Sequence, residues 1–308
     1  MKPYKIWITC PCYYDVQSFL MLREEIRCVF EKEKMSLPSF VFIDDSAGQD
    51  PMVETQVVPL ENVQVVAPPY NLGHQAAIVF ALRKLSTLVD ITDFVITMDA
   101  DGEDKPTDII SLLKPLKESI NEPRLISVAL RTRRSATLKF KLLYACFILL
   151  FQMLTGLIVR SGNFVAFRGW FLKEIIFHPY FDQCYGSVFK SLPLNLMMVP
   201  IARGPRYFGH SKMSYLNLIS HGIRMLMPFT EKIAVRGLIV ASVSLIFSLS
   251  GVLFSLVLLD HQRFASIGVF IFGGLSAFFI ILILNFFALF VMFSQSNAIS
   301  LRHLHEQR

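Results

Sequence analysis

Two long stretches of this 308-residue chain lack charge altogether: residues 237–259 and 264–293 contain no acidic or basic side chain. Each exceeds the ~20 residues needed to cross a hydrocarbon core about 30 Å thick. The competing reading, a buried helix pair in a soluble core, requires helices of this length with no polar face, which soluble proteins seldom have. Cysteine is scarce: the five residues Cys10, Cys12, Cys28, Cys146 and Cys184 are odd in number, and Cys10 and Cys12 stand too close for a zinc CxxC pair. They read as reduced thiols that mostly fill core space. No GxGxxG follows the first apolar run and no GxxxxGK[ST] occurs, which leaves dinucleotide redox chemistry and P-loop chemistry without support. The N-terminal "MKPYKIWITCPCYYD" turns polar too soon for a signal peptide. Internal repeats, low-complexity tracts and flexible linkers are also missing.

What is present is an apolar chain, 53% hydrophobic with a formal charge of +6 and a mean hydropathy of +0.49, long enough for one sizeable domain beside a membrane part. Between the two uncharged stretches stands only "DHQR", so they form a tight membrane hairpin over 237–296. Glu231, Lys232 and Arg236 precede it and "LRHLHEQR" follows, so the excess of Lys and Arg puts both termini, including the tail 297–308, on the cytosolic side.

The first half has the rhythm of an α/β domain. Runs rich in β-branched and aromatic residues at 6–9, 40–43, 63–66, 94–97 and 125–130 predict strands, with helical patterns at 16–34, 74–89 and 107–119. Such alternation predicts a mainly parallel sheet whose ligand site lies beyond the carboxyl ends of its strands. Polar clusters follow the first four strands in turn: "PCYYD", "DDSAGQD", "PPYNLGH" and "DADGED".

The last cluster, inside "MDADGEDKP", crowds Asp99, Asp101, Glu103 and Asp104 behind an apolar run. Clustered carboxylates suit a hard divalent cation, Mg2+ or Mn2+, that bridges phosphate oxygens. An EF-hand is excluded, because counting from Asp99 its sixth and twelfth positions are Asp104 and Ile110 and not Gly and Glu. Taken alone, the segment reads equally well as a solvated turn before a helix, with Asp104 as the helix-side acid.

Taken in order, these segments resemble glycosyltransferase family 2, and within it the polyisoprenyl-phosphate branch of dolichol-phosphate mannose synthases and bactoprenol glucosyltransferases. "PCYYD" stands where the family has P-x-Y-N-E; "IDDSAGQD" resembles V-D-D-G-S-x-D; "NLGHQAA" resembles the N-x-G segment; "MDADGEDKP" resembles D-A-D-L-Q-D-P-P. Further on, "RTRR" matches a basic stretch before a juxtamembrane helix, "RYFGHSKMS" resembles R-x-x-G-x-S-K-[MY], and a membrane hairpin follows. The ordered set spans nearly the whole chain. Four departures stand out: Tyr14 for Asn, Asp15 for Glu, Glu103 for a frequent Gln, and Asn163 where relatives often carry an acidic G-D motif.

The resemblance implies a GT-A catalytic domain, Rossmann-like with a mainly parallel sheet, over residues 1–212, followed by a juxtamembrane amphipathic helix at 213–236 and the hairpin. It implies a nucleotide sugar, UDP- or GDP-linked, bound by Pro11, Tyr13, Asp15, Asp44, Asp45, Asn71, Gly73 and Asp99, and a Mg2+ or Mn2+ ion held by Asp99, Asp101 and Glu103. The carboxylate of Glu103 is expected to retain or tighten cation binding. The acceptor implied is a polyisoprenyl phosphate. Being already ionised, it needs positioning more than a general base. Arg131, Arg133, Arg134, Arg206, Ser211 and Lys212 are the candidates to bind it, with Asp99, Asp101, Arg131 and Lys212 as the catalytic set. In-line attack would invert the anomeric carbon. "RTRR" also suits anionic headgroups.

An apolar run at 142–159 is long enough to suggest a third span, but crossing would put "DADGED" and "GHSK" on opposite membrane faces. A helix lying in the interface, about 138–160, is therefore expected, with a second over 213–229. The expected setting is an integral membrane protein with a cytosolic catalytic domain, as in a bacterial inner membrane, partnered by nucleotide sugar, lipid and membrane and not by nucleic acid. The small residues of "FGGLSA" would permit a homo-oligomer. A processive polysaccharide synthase would show Q-x-x-R-W and more spans. The alternatives are a glycosyltransferase that uses another membrane lipid or a glycan as acceptor, and a non-catalytic membrane scaffold that keeps the fold.

Overall fold

The uncharged run "IWITCPC" forms the first strand, β1 (Ile6–Cys12), buried along its whole length. It is flanked on one side by β2 (Ser39–Asp44) and β3 (Val63–Val66), and on the other by β4 (Phe94–Thr97). These four strands run parallel. Parallel strands need long crossovers; α1 (Val16–Lys32) lies on the path from β1 to its neighbour β2, and α2 (His74–Leu85) on the path that carries the chain from β3 across the sheet to β4, beside β1. Beyond β4 come α3 (Asp108–Glu118), β5 (Leu125–Arg131), α4 (Leu138–Thr155) and β6 (Ser161–Arg168). The helices α5 (Gly169–Ile175) and α6 (Tyr185–Ser191) and the strand β7 (Asn195–Ile201) follow. The seven-stranded order is β3-β2-β1-β4-β6-β5-β7, with β6 antiparallel to both its neighbours. The computed structural model of the chain describes residues 4–119, 122, 124–132, 138–157, 161–178, 180–182, 184–209, 215–258 and 262–306.

Both faces of the sheet are covered, which explains why its central strands read as continuous apolar runs. Alternate residues of β1 point to opposite layers. Ile8 packs with Phe19, Leu22 and Ile26 of α1 and with Ile109 and Leu112 of α3, whereas Trp7 packs with Ala77, Ile78 and Leu82 of α2 and with Phe171 and Phe189 beneath the sheet. Fully burying one such aliphatic or aromatic side chain contributes roughly 1.5–3 kcal/mol.

The mainly parallel α/β sheet matches the sequence expectation, and two strands extend it. Neither β6 nor β7 was expected; β6 is inserted between β4 and β5, and β7 closes the far edge with Met197 and Met198 exposed. The helices α1, α2 and α3 are shorter than their sequence patterns by one to four residues at an end.

The chain divides into two compact units, Met1–Ile148 with Ile158–Pro228, and Leu149–Leu157 with Phe229–Arg308. The first holds the sheet and α7 (Tyr215–Leu226). The second holds α8 (Thr230–Leu258) and α9 (Gln262–Glu306), packed against each other. Segments Ile219–Val257 and Ser266–Met292 are long and apolar enough to cross a membrane. The first apolar helix thus starts earlier than residue 237, and α9 runs on through the segment expected to be a tail. Glycines set the close approach of the pair: Gly237 faces the Phe286 ring and Gly251 the Phe272 ring, with an added Cβ 2.4 and 2.6 Å from them. Ser276 bonds Ser248 at 3.0 Å, and Ser248 donates to Phe272 O at 2.7 Å, so the polar groups between the helices are satisfied. Large apolar side chains such as Phe247 and Phe270 point outward, 77% and 83% exposed, as lipid-facing residues do.

Candidate active site

The carboxyl ends of β1, β2 and β4 and the turn after β3 are stitched into one polar surface. Asp45 N–H donates to Cys12 O at 2.9 Å, tying the second strand end to the first. Asn71 Nδ2 donates to Asp45 O at 3.0 Å, and Leu72 N–H to Asp45 Oδ1 at 2.8 Å, tying the third loop to the second. Gly73 then adopts φ of +76°, a left-handed conformation natural to glycine, and starts α2 with His74. His74 Nε2 reaches the fourth loop, 3.1 Å from Asp99 Oδ1.

The nucleoside candidates divide by what they already do. Pro11 is buried in β1, and Asp15 Oδ1 accepts from Ser18 Oγ at 2.6 Å. Asp44 uses both oxygens within its own turn, accepting from Ser46 N–H, Ser46 Oγ–H and Gly48 N–H at 3.0, 2.6 and 3.0 Å. Burial pushes the Asp45 carboxyl up, against hydrogen bonds from Leu72 and Gly73. Tyr13 and Tyr14 expose nearly half their surfaces and pack edge to face at 4.9 Å. Tyr14 sits at φ of +50°. Among side-chain-bearing residues Asn tolerates that region well and a bulky ring poorly, which gives the Tyr-for-Asn departure a local backbone cost.

The acidic loop turns on Gly102, at φ of +87°. Asp104 is more than a helix-side acid: it is buried, its Oδ2 accepts from Asp99 N–H at 3.1 Å, and its Oδ1 lies 3.3 Å from Arg131 Nη2. Arg131, at the end of β5, also faces Asp99 Oδ2 at 3.6 Å. Arg206 Nη2 lies 2.6 Å from Asp101 Oδ2 and 3.9 Å from Glu103 Oε1, and Arg203 Nη2 lies 2.5 Å from Glu103 Oε2. Four carboxylates thus meet three guanidinium groups. Burial would raise the Asp99 carboxyl, but a protonated His74, with Arg131 and Arg203, outweighs it and holds Asp99 below the usual carboxylate range. Asp101 is raised by burial and by Asp99. Asp104 is pushed up to about 7 by burial and by Asp99, against Arg131.

A chain of side-chain amides fixes His74. Gly186 N–H donates to Gln75 Oε1 at 3.1 Å, Gln75 Nε2 donates to Asn163 Oδ1 at 2.7 Å, and Asn163 Nδ2 stands 2.6 Å from His74 Nε2. Since Gly186 N–H can only donate, each amide's orientation follows, and Nε2 accepts. Asp99 Oδ1 is then a buried acceptor without a hydrogen bond. Burial lowers the His74 imidazole and Asp99 raises it, with a net upward shift; a protonated Nε2 would donate to Asp99 only if the Asn163 amide turned over and lost Gln75.

The donor set fits a hard divalent cation. Asp99 Oδ1 is a buried oxygen with no hydrogen bond, 3.1 Å from the His74 ring, and carboxylate oxygens are the ligands Mg2+ and Mn2+ take. Among the described residues no group of three or more His, Cys, Asp or Glu side chains is arranged around one point; Arg203 and Arg206 stand at two of the acids. Arg133, Arg134, Ser211 and Lys212 lie outside the described residues. Sequence reasoning missed Arg203, and gave His74 and Gln75 no role of their own. The motif "RGPR" that carries Arg203 was a visible basic signal directly before "YFGHSK".

No family model matches the chain, and no curated protein matches it. Solved structures do. A mannosyl-3-phosphoglycerate synthase from Rubrobacter xylanophilus is 14% identical over 76% of this chain and 74% of its own, with a TM-score of 0.47. A 4-diphosphocytidyl-2C-methyl-D-erythritol synthase is 13% identical over 72% of this chain and 100% of its own, at 0.39. The Francisella tularensis 2-C-methyl-D-erythritol 4-phosphate cytidylyltransferase is 11% identical over 71% and 99%, at 0.35. At this level of likeness, the residues of the site itself have to carry any functional reading.

Proposed function

We propose that the chain is a membrane-bound, inverting glycosyltransferase of GT-A type that moves a sugar from a UDP- or GDP-sugar to a polyisoprenyl phosphate at the cytosolic membrane face. One observation carries this reading: four carboxylates at the strand ends lie against three arginines, two of which, Arg131 and Arg203, keep a buried Nε–H without a hydrogen-bond partner. Guanidinium groups with an Nε–H to spare, beside a crowd of carboxylates, suit a ligand that brings phosphates and a cation together.

In this reading Asp99, Asp101 and Glu103 would hold a Mg2+ or Mn2+ ion, which would supply positive charge for the departing nucleoside diphosphate. Tyr13, Asp15, Asp45 and Asn71 surround the nucleoside beside Pro11 and Gly73, while Asp44 shapes the loop that carries Asp45. Arg131 and Arg206, with Arg133, Arg134, Ser211 and Lys212, orient the acceptor phosphate and offset its repulsion from the donor. No side chain is needed to deprotonate it, in keeping with an amide at Asn163. The helices α4 and α7 lie in the interface and α8 and α9 span, with both termini cytosolic.

Membranes carrying the chain are incubated with a panel of labelled nucleotide sugars and undecaprenyl or dolichyl phosphate. Label that enters the lipid phase only with Mg2+ or Mn2+ is the expected result. No transfer from any donor would overturn the reading in favour of a non-catalytic scaffold.

A further inference from the structure

After β7 the chain doubles back onto the acidic loop. Gly204 N–H donates to Glu103 O at 2.9 Å and Tyr207 N–H to Asp101 O at 2.8 Å. The Tyr207 ring covers Gly102, where an added Cβ would lie 2.6 Å from it, and its hydroxyl donates to Glu25 Oε2 at 2.7 Å. A Cβ at Gly204 would in turn lie 2.7 Å from Gly102 O. Between these backbone bonds Arg203 reaches Glu103, and Arg206 reaches Asp101. The segment 203–207 is therefore a strap, held to the loop by two backbone hydrogen bonds, one ring and two ion pairs.

The ion pairs occupy the oxygens a cation would take. Divalent ions sit ~2.0–2.6 Å from carboxylate oxygens, and the guanidinium nitrogens already stand at 2.5 and 2.6 Å. A cation and a guanidinium on the same carboxylate repel, so each weakens the other's hold on it. The Arg203 pair depends on Glu103 being an acid, since an amide there would present no charge to hold the guanidinium.

We propose that the strap and a divalent cation are alternative partners of Asp101 and Glu103, with Arg203 a positioning residue that acts through Glu103. This rests on the cation reading above. With a cation bound, Arg203 and Arg206 would be freed from the acids, and their charges would be available to the phosphates of donor and acceptor. The effect is reciprocal: if the cation expels the strap, weakening the strap tightens the cation by the same factor.

The test uses Mn2+ alone and the full chain in detergent. Electron paramagnetic resonance of free Mn2+ gives affinities for wild type, Arg203→Gln and Arg203→Lys, and hydrogen exchange follows the amides of Gly204 and Tyr207 in wild type as Mn2+ is added. We expect Arg203→Gln to bind roughly 5- to 50-fold more tightly, Arg203→Lys to bind nearly as wild type, and both wild-type amides to exchange faster at saturating Mn2+. Equal or weaker binding by Arg203→Gln, or unchanged amide exchange at saturation, overturns the competition and leaves the cation site standing. Failure of all three proteins to bind Mn2+ overturns both. The exchange measurement needs no variant and decides the matter even where Arg203→Gln does not fold.

Discussion

Gly162 and Arg131 are in direct contact: a Cβ built on Gly162 would lie 2.8 Å from the guanidinium carbon of Arg131 and 2.9 Å from its Nη2. β6 brings that backbone beside the end of β5, so the space which lets Arg131 reach Asp99 and Asp104 exists only because residue 162 has no side chain.

Gly162→Ala therefore displaces the far end of Arg131 and little else. A flexible arginine tip can give way, so the melting temperature should move by no more than a few degrees, while transfer falls by on the order of 10- to 100-fold. Thermal unfolding and initial rates measured on the same preparation check this. Full activity in a folded Gly162→Ala protein would remove Arg131 from the reacting groups.

Asp101→Asn keeps the shape of the loop and removes one charge. The amide is isosteric and keeps an oxygen for Glu103 N–H, which Asp101 Oδ1 accepts at 3.0 Å, so the fold should survive. Transfer should drop roughly 100-fold or more. Wild-type rates in this variant would contradict the assignment of Asp101 to the cation.

Lys190, on α6, supplies a pH dependence away from the site. Burial lowers its pKa to about 8, against ~10.4 for an unfolded lysine. Between these values the unfolded chain binds the proton more strongly, so stability rises as pH rises from about 8 toward ~10.4, and the full penalty is present below about 8. Lys190→Met should raise the melting temperature near pH ~7, with the gain shrinking toward pH ~10. An equal gain at both pH values would show that packing, and not charge, is responsible.

The hairpin reading has its own check. After replacement of the exposed Cys28 and Cys146, a single cysteine introduced as Gln262→Cys should react with an impermeant reagent added to the outside of intact cells. Reaction only after the cytosolic face is opened would reverse the orientation drawn from Lys and Arg.

The parts of the fold legible in the sequence were those with local causes. β1, β2, β3 and β4 are apolar runs, and each ends in polar residues that face the site, so their order and the acids of the fourth loop could be read directly. β6 escaped because "SGNFVAFR" alternates only weakly, and its place between β4 and β5 depends on partners distant in sequence. β7 escaped because "NLMMVPI" is an exposed edge rich in Met and Leu, with a proline, and not in β-branched residues. In the site, Asp99 and Asp101 announced themselves by crowding, whereas Arg203 acquires meaning only once β7 returns the chain to Glu103. His74 is similar: nothing near it in sequence indicates that Asn163 and Gln75 orient its ring. The sequence also raised Glu103 as an extra cation ligand, and the structure adds the guanidinium that pairs with it.

The central claim is transfer to a phosphate on a lipid, and the most direct test compares two acceptors that differ only in that phosphate. The purified chain in vesicles receives a labelled nucleotide sugar with Mn2+ and either polyprenyl phosphate or the corresponding polyprenol. The account predicts label in the lipid phase with polyprenyl phosphate and none above background with polyprenol, because a neutral alcohol offers no charge for Arg131 and Arg206 to orient. Equal transfer to the two lipids, or none to either, would contradict it.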